Sequence, residues 1–518
     1  MQMKKQILIL LCLALLAGCF AGCAPAHDPV AYTPTGDALE GEQEDNATPA
    51  EGQQEQTLSM AYNPEQGMNP LISTDYTNQV LFSLMYQGLF SISRDHEVIP
   101  ILCKTYSVSA DLMTYEFEVD PAAFFSDGTP VTPEDVVASL NEARNQKSYG
   151  GRLRYVESIQ VTEANTVKIR LYQAYGNLPL LLDIPILKAD QLQAENPVGS
   201  GPYELTGWGR ERALTRCDDW WCRSDDLLIT AKKIPLVEAD STTTIRDAFE
   251  FQDVGVVCTD PGSDRYVEYR CDYELWDCET GLFLYLGVNA DSSVFQSREV
   301  RQALSKGINR AYLVDEYYRG FATVAELPAS ANSPYYTAPL AKQYSYNPTA
   351  FQNGMGEVKG RTMKLLVNSA DSLRVRVAQE IGRMLNSGGL IVEVVAETPT
   401  NYTIALREGK YDLYLGQTKL SANMDLTPFF SANGALNYGN IDDIGIYTLC
   451  LQALENQGNY YSLHQRVMDD GYLCPILFRS YAVFASRGLL TDLKPARDNL
   501  FCYSIGRDQT DAYILMAQ

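Results

Sequence analysis

The stretch Phe125-Ser126-Asp127-Gly128-Thr129-Pro130-Val131-Thr132-Pro133-Glu134-Asp135-Val136 decides the fold. Asp127-Gly128 suits a tight turn, because an Asp side chain bonds the backbone two residues on and Gly accepts the turn dihedrals. Thr132 offers a capping hydroxyl, Pro133 takes the first helical position and Asp135 puts a carboxylate at the third. A helix is therefore predicted from here, with Val136, Val137 and Leu140 on its apolar side. Alternation in residues 113–119 (MTYEFEV) and 166–172 (TVKIRLY) predicts half-buried strands on either side of that helix. The region reads as α+β.

Working outward, Met363 to Val367 reads as a strand, Leu373 to Leu385 as a helix with Val377, Ile381, Met384 and Leu385 on one side, and Leu390 to Val395 as a second strand after Gly388-Gly389. This is a βαβ unit. A further strand, Tyr411 to Leu415, follows a helical stretch, which argues for a lobe built on a parallel or mixed sheet with covering helices. In the other direction the pattern becomes globular at about Thr57, with the strand-like TLSMAY and then a turn-rich NPEQGMNPL. No internal repeat is present.

The chain has 518 residues, enough for two to four domains and a sizeable core. Its 41 Lys plus Arg against 65 Asp plus Glu leave a formal charge of -24, which repels polyphosphate and excludes nucleic acid as a partner. Past the N-terminus no run approaches the 18 or so apolar residues of a spanning helix. Residues 1–23 (MQMKKQILILLCLALLAGCFAGC) join a positive Lys4-Lys5 region to an apolar stretch, Ile7 to Ala17, the pattern of an export signal. Leu16-Ala17-Gly18-Cys19 resembles a bacterial lipobox, with Cys19 the expected lipidated residue and Cys23, after Phe20-Ala21-Gly22, in reserve. Acyl chains at about 0.8 kcal/mol per buried CH₂ make such an anchor essentially permanent. Residues 24–56 are acidic and nearly free of large apolar side chains, so they read as a tether.

Several segments together resemble the family 5 extracellular solute-binding proteins, which serve dipeptide, oligopeptide and nickel ABC importers. They are Asn69-Pro70-Leu71, Tyr86-Gln87-Gly88-Leu89, the opening stretch 125–136, Gly199-Ser200-Gly201-Pro202-Tyr203, Val300-Arg301-Gln302-Ala303 with Asn309-Arg310, Lys410-Tyr411-Asp412-Leu413, and Pro475-Ile476-Leu477-Phe478, in family order. The resemblance implies an α/β fold, mixed α+β in its first lobe, of the two-lobed periplasmic-binding-protein type. The expected divisions are lobe one over 57–288 with a subdomain inserted at about 90–200, lobe two over 289–475, and a return to lobe one over 476–518. Hinge crossings are expected near Val288-Asn289-Ala290 and Pro475 to Phe478.

The resemblance also implies a function: no enzyme, no cofactor, no catalytic or metal site, but a monomeric binding protein that traps a peptide or other small solute and passes it to ABC permease and ATPase subunits. A receptor that senses peptide without transport, or an extracellular hydrolase, are the alternatives; His96 and His464 sit in no hydrolase motif. Peptide binders of the family place an Asp after the "YDL" strand against the ligand's α-ammonium. Here that position holds Ala422, or Leu420 in a shifted register, and Asp425 lies in a turn beyond. Expected ligand contacts are Ser73, Thr74, Asp75, Tyr76, Tyr149, Gln417, Thr418, Ser421, Ala422, Asn423 and Asp425. Trp208, Trp220, Trp221 and Trp276 read as core before they read as ligand platforms. Nine cysteines follow Cys23; Cys217 with Cys222 and Cys271 with Cys278 are the simplest disulfide candidates, beside the alternative of buried free thiols.

Overall fold

A computed structural model describes residues 58–162, 165–222, 231–262, 269–490 and 493–501. The export signal, Cys19, Cys23, the tether and Cys502 lie outside the described residues. Among the described residues no helix is long and apolar enough to cross a membrane.

The architecture turns on two long antiparallel strands, Tyr273–Val288 and Leu473–Ser486. They run through an eleven-stranded sheet, in which the short strand Ala322–Val324 pairs with the return strand off the main order. On one side stand Leu413–Lys419, Thr362–Asn368 and Ile391–Glu397; on the other stand Val256–Thr259, Met60–Tyr62, Lys233–Glu238, Ala213–Arg216 and Tyr203–Thr206. The register of the long pair breaks between Glu279 and Leu282, where Gly281 takes φ 68°. Before the break, the return strand carries the first-lobe strand at 256–259; after it, residues 282–288 carry the second-lobe strand at 413–419. Val288 and Asn289 lie past the break, with the Asn289 side chain donating to the Gly409 and Tyr411 carbonyls.

Lobe two contains the expected βαβ unit. Strands Thr362–Asn368 and Ile391–Glu397 pair in parallel across helix Ser372–Asn386. Leu284, Leu286 and Val288 point into one hydrophobic cluster and Phe283 and Tyr285 into another, so this part of the sheet is covered on both faces. The next strand begins at Leu413 rather than Tyr411 and runs on to Lys419. Its extension is fixed by pairing with the long strand, Lys419 opposite Leu282, a contact between distant segments that local pattern does not contain. Helix Arg298–Gly307 and helix Arg310–Tyr318 explain the Arg301 and Arg310 signals. Both side chains are buried and donate to backbone carbonyls, Arg301 to Asp470 and Phe295, Arg310 to Ala325 and Pro475.

Lobe one carries a four-stranded antiparallel sheet in the order 103–108, 114–119, 166–171, 156–161. The opening stretch folds as its chemistry dictates. Asp127 accepts from the Thr129 N–H at 3.0 Å, and Thr132 and Asp135 form a reciprocal capping box for helix Pro133–Asn145. Gly199 presses on the end of helix Tyr76–Met85, where a Cβ would stand 1.9 Å from the Met85 carbonyl, so only Gly fits.

Neither candidate disulfide forms; all eight described cysteines after Cys23 are free. Cys271 and Cys278 are separated along extended backbone at about 3.3 Å per residue, beyond the roughly 7 Å reach of a disulfide. Cys278 is buried with its thiol on the Ala496 carbonyl at 3.3 Å. Cys217 and Cys222 pack around Trp220 as small apolar residues.

Candidate functional site

A cavity of about 190 Å³ opens beside the register break. Its walls come from six parts of the chain: the loop and helix at 70–92, Ile101, the turn at Ser148, Tyr149 and Arg152, the segment at Asp183 and Pro185, the end of the second-lobe strand at Lys419, and Arg497, Asp498 and Asn499. The last segment rests on the break itself. The Asp498 N–H donates to the Glu279 carbonyl at 2.8 Å, and the Arg497 guanidinium covers Gly281, where a Cβ would come within 2.3 Å of it.

Among the described residues, five charges line the cavity. Arg152 pairs with Asp183 at 2.5 Å and Lys419 with Asp498 at 2.6 Å. Arg497 is the fifth: its Nε stands 3.8 Å from the Asp498 oxygen that Lys419 already holds, and its Nη2 donates to the Leu420 carbonyl. Burial opposes the charge on Arg152, but Asp183, Tyr149 and Asp498 outweigh it and raise its pKa. For Arg497 burial prevails and lowers the pKa; Asp498 opposes the fall and Arg152 adds to it. The cavity is thus positive by one charge, three cations against two carboxylates, and the surplus sits on a side chain only 8% exposed.

The same cavity gathers buried polar atoms without partners. Ser83 Oγ, Gln87 Nε2, Arg497 Nη1 and Asn499 Oδ1 are all buried and make no hydrogen bond, and all four residues line it. A buried unpaired polar group costs about 1–3 kcal/mol, so these four residues form a stretch of cavity wall whose polar groups the fold leaves unmatched.

Of the residues expected from sequence, Ser73 and Tyr149 line this cavity. The Tyr149 hydroxyl donates to Pro70 at 3.0 Å, Arg152 stands over its ring at 5.3 Å, and burial pushes its pKa up to about 12. Thr74 is exposed outside it. Asp75 caps helix Tyr76–Met85, accepting from the Asn78 N–H and from Asn63, and Tyr76 meets the Cys258 thiol at 3.1 Å and the Tyr481 ring edge-on. Gln417 accepts from Arg479 at 3.1 Å; Arg479 also grips both oxygens of Asp260 across the long pair. Thr418 is a ladder residue opposite Phe283.

Ser421 donates to Asn423, whose carbonyl accepts from Tyr460, and Ala422 is buried in the aromatic cluster. Asp425 accepts from the Thr427 N–H at 2.8 Å and pairs with Arg154 at 3.6 Å. None of these five second-lobe residues before Asp425, nor Asp425 itself, lines the cavity. Trp220 and Trp221 donate to the Ser200 carbonyl, Trp276 packs on the core, and Trp208 is exposed under Arg212.

Sequence reading did not single out Ser83, Gln87, Arg152, Asp183, Lys419, Arg497, Asp498 or Asn499 as site residues. Gln87 carried the one available signal, standing in the Tyr86-Gln87-Gly88-Leu89 segment of the family resemblance.

Residues 97–440 match the model of the bacterial extracellular solute-binding proteins, family 5 Middle. The glutathione-binding protein GsiB of Pectobacterium atrosepticum is 26% identical over 346 residues, 64% of this chain and 66% of that protein, just under two thirds of its length. Among solved structures, the unliganded open form of the periplasmic murein tripeptide-binding protein MppA superposes with TM-score 0.72 at 14% identity, covering 87% of this chain and 96% of MppA. The ABC transporter substrate-binding protein CtaP of Listeria monocytogenes gives 0.70 at 18%, covering 86% and 97%. Both carry the two-lobed fold described above.

Proposed function

Because this chain belongs to the bacterial extracellular solute-binding proteins of family 5, an extracytoplasmic class that works with ABC permeases and carries no enzymatic activity, we propose that it is a substrate-binding lipoprotein for short peptides or similarly small zwitterionic solutes. The observation that carries the ligand class is the cavity at the register break, with two ion pairs, one surplus cation and four unpaired polar atoms. Its volume is below the roughly 300–1,000 Å³ of sites that enclose a drug-sized ligand, which suits one end of a peptide or a single small zwitterion. The names of the relatives, glutathione-binding and murein tripeptide-binding, point the same way.

Capture proceeds by rotation of the lobes about the break at Gly281 and Arg479, and ligand binding shifts an open population towards a closed one that the permease accepts. The chain is held at the membrane through acylated Cys19, with Cys23 in reserve. Palmitate labelling of cells expressing the wild type and Cys19→Ala reads this directly: loss of label in the variant supports Cys19, and retention passes the role to Cys23.

A thermal-shift screen of the purified protein against short peptides with free and acetylated N-termini, nickel chelates and oligosaccharides tests the ligand class. A ligand at 100 times its Kd adds about 2.7 kcal/mol. Stabilisation by peptides upholds the reading. Stabilisation by another class alone keeps the binding protein and removes the peptide.

A further inference from the structure

We propose that Arg497 is the anion-binding residue of the cavity, taking a carboxylate of the ligand, so that the segment at 496–499 is part of the solute site and not only a return to lobe one; this deepens the peptide reading and rests on it. Arg497 is buried, it lines the cavity, and its Nη1 has no partner. Every other charge in the cavity is already matched: Arg152 by Asp183, Lys419 by Asp498. A guanidinium nitrogen buried without an acceptor is costly, and a carboxylate is the acceptor whose charge and planar geometry suit it best.

The neighbours complete the recognition. Gln87 and Asn499 line the same cavity, and each carries a buried polar atom without a partner, a donor Nε2 and an acceptor Oδ1. A free peptide end supplies both complements, two carboxylate oxygens and a backbone amide. An uncharged amide end leaves the Arg497 charge uncompensated.

The segment also couples recognition to closure. Arg497 Nη2 donates to the Leu420 carbonyl and Asp498 pairs with Lys419, both in lobe two, while the backbone at 496 and 498 is held by Cys278 and Glu279 on the long strand. A ligand held by Arg497 is thus tied at once to the register break and to the second lobe.

The experiment is isothermal titration of the full chain in detergent with trialanine and with trialanine carboxamide, for the wild type, Arg497→Gln and Arg497→Lys. The wild type is expected to bind the acid at least tenfold more tightly than the amide. Arg497→Gln is expected to weaken the acid about tenfold or more and to abolish the difference, and Arg497→Lys to keep part of it. Equal binding of acid and amide by the wild type overturns the proposal and leaves peptide binding standing, a comparison that requires no variant to fold. Unchanged preference in a folded Arg497→Gln overturns it equally. Binding of neither peptide removes the peptide reading itself, and the proposal with it.

Discussion

The loop at 421–425 and the segment at 496–499 each bury a charged side chain, and they settle its account in opposite ways. Asp425 accepts from a backbone N–H and faces Arg154, so nothing about it is left open. Arg497 is equally enclosed, yet one of its nitrogens has no partner and its nearest carboxylate belongs to Lys419. The first pattern is that of a structural charge, which stabilises the fold by being matched. The second is that of a site, whose missing partner comes from outside. The loop that resemblance marks for ligand contact is internally satisfied, while Arg497 and Asn499 hold open valences in a segment that no motif covers.

Four measurements break or sharpen this contrast, the largest effect first. Two buried histidines lie by these regions: His464 against Tyr460, whose hydroxyl reaches Asn423, and His96 beside both Arg497 and the Ala422 backbone. Burial lowers His464 to about 3 and His96 to about 4, the latter with help from Arg497. Their folded pKa values lie below the ordinary value of about 6.5, so the unfolded chain takes the protons first. Stability from these groups is therefore intact above pH 6.5 and falls as pH drops, by about 1.4 kcal/mol per pH unit for each histidine. Urea titrations from pH 7 to pH 4.5 read this slope. His464→Leu is expected to remove its share, and an unchanged slope would show that His464 charges freely in the folded protein.

Next, Asp425→Ala leaves the Thr427 N–H without its acceptor and is expected to cost about 1–3 kcal/mol in urea unfolding, with peptide affinity of the folded protein changed less than twofold. A stable variant that no longer binds exchanges the roles of the two regions. Arg497→Gln behaves inversely: unfolding free energy within about 1 kcal/mol of wild type, because a partly unmatched buried cation contributes little to stability, set against its loss of carboxylate affinity. The smallest effect belongs to Lys419→Met. Lys419 is about half exposed, so losing its pair with Asp498 changes stability by less than about 1 kcal/mol. Asp498 then turns to Arg497, and trialanine binds several-fold more weakly; unchanged binding would mean that Asp498 does not compete for the guanidinium.

Legibility follows the range of the interaction. The capping box at Thr132 and Asp135, the turn at Asp127 and the βαβ unit from 362 to 397 were readable, because each depends on residues a few positions apart or on an apolar period that one face of one element displays. The strand at 413–419 was readable only in its first half, since the rest is fixed by pairing with residues 282–288. Ser73, in the loop before helix Tyr76–Met85, and Tyr149, in the turn after helix Pro133–Asn145, were within reach through the family resemblance. Arg497 was not, because a basic residue in a short polar stretch near the end of a chain carries no local mark of burial.

By itself the sequence determined the class of the molecule: an acidic chain with an export pattern, α/β segments in a fixed order, and turns and caps whose chemistry works within a few residues of backbone. Only the tertiary structure decided where polar valences remain open. That depends on which side chains from 70–92, 148–152, 183–185, 419 and 497–499 are brought together and which of them find partners there. The desolvation that makes an unpaired guanidinium nitrogen costly exists only after the chain has closed around it.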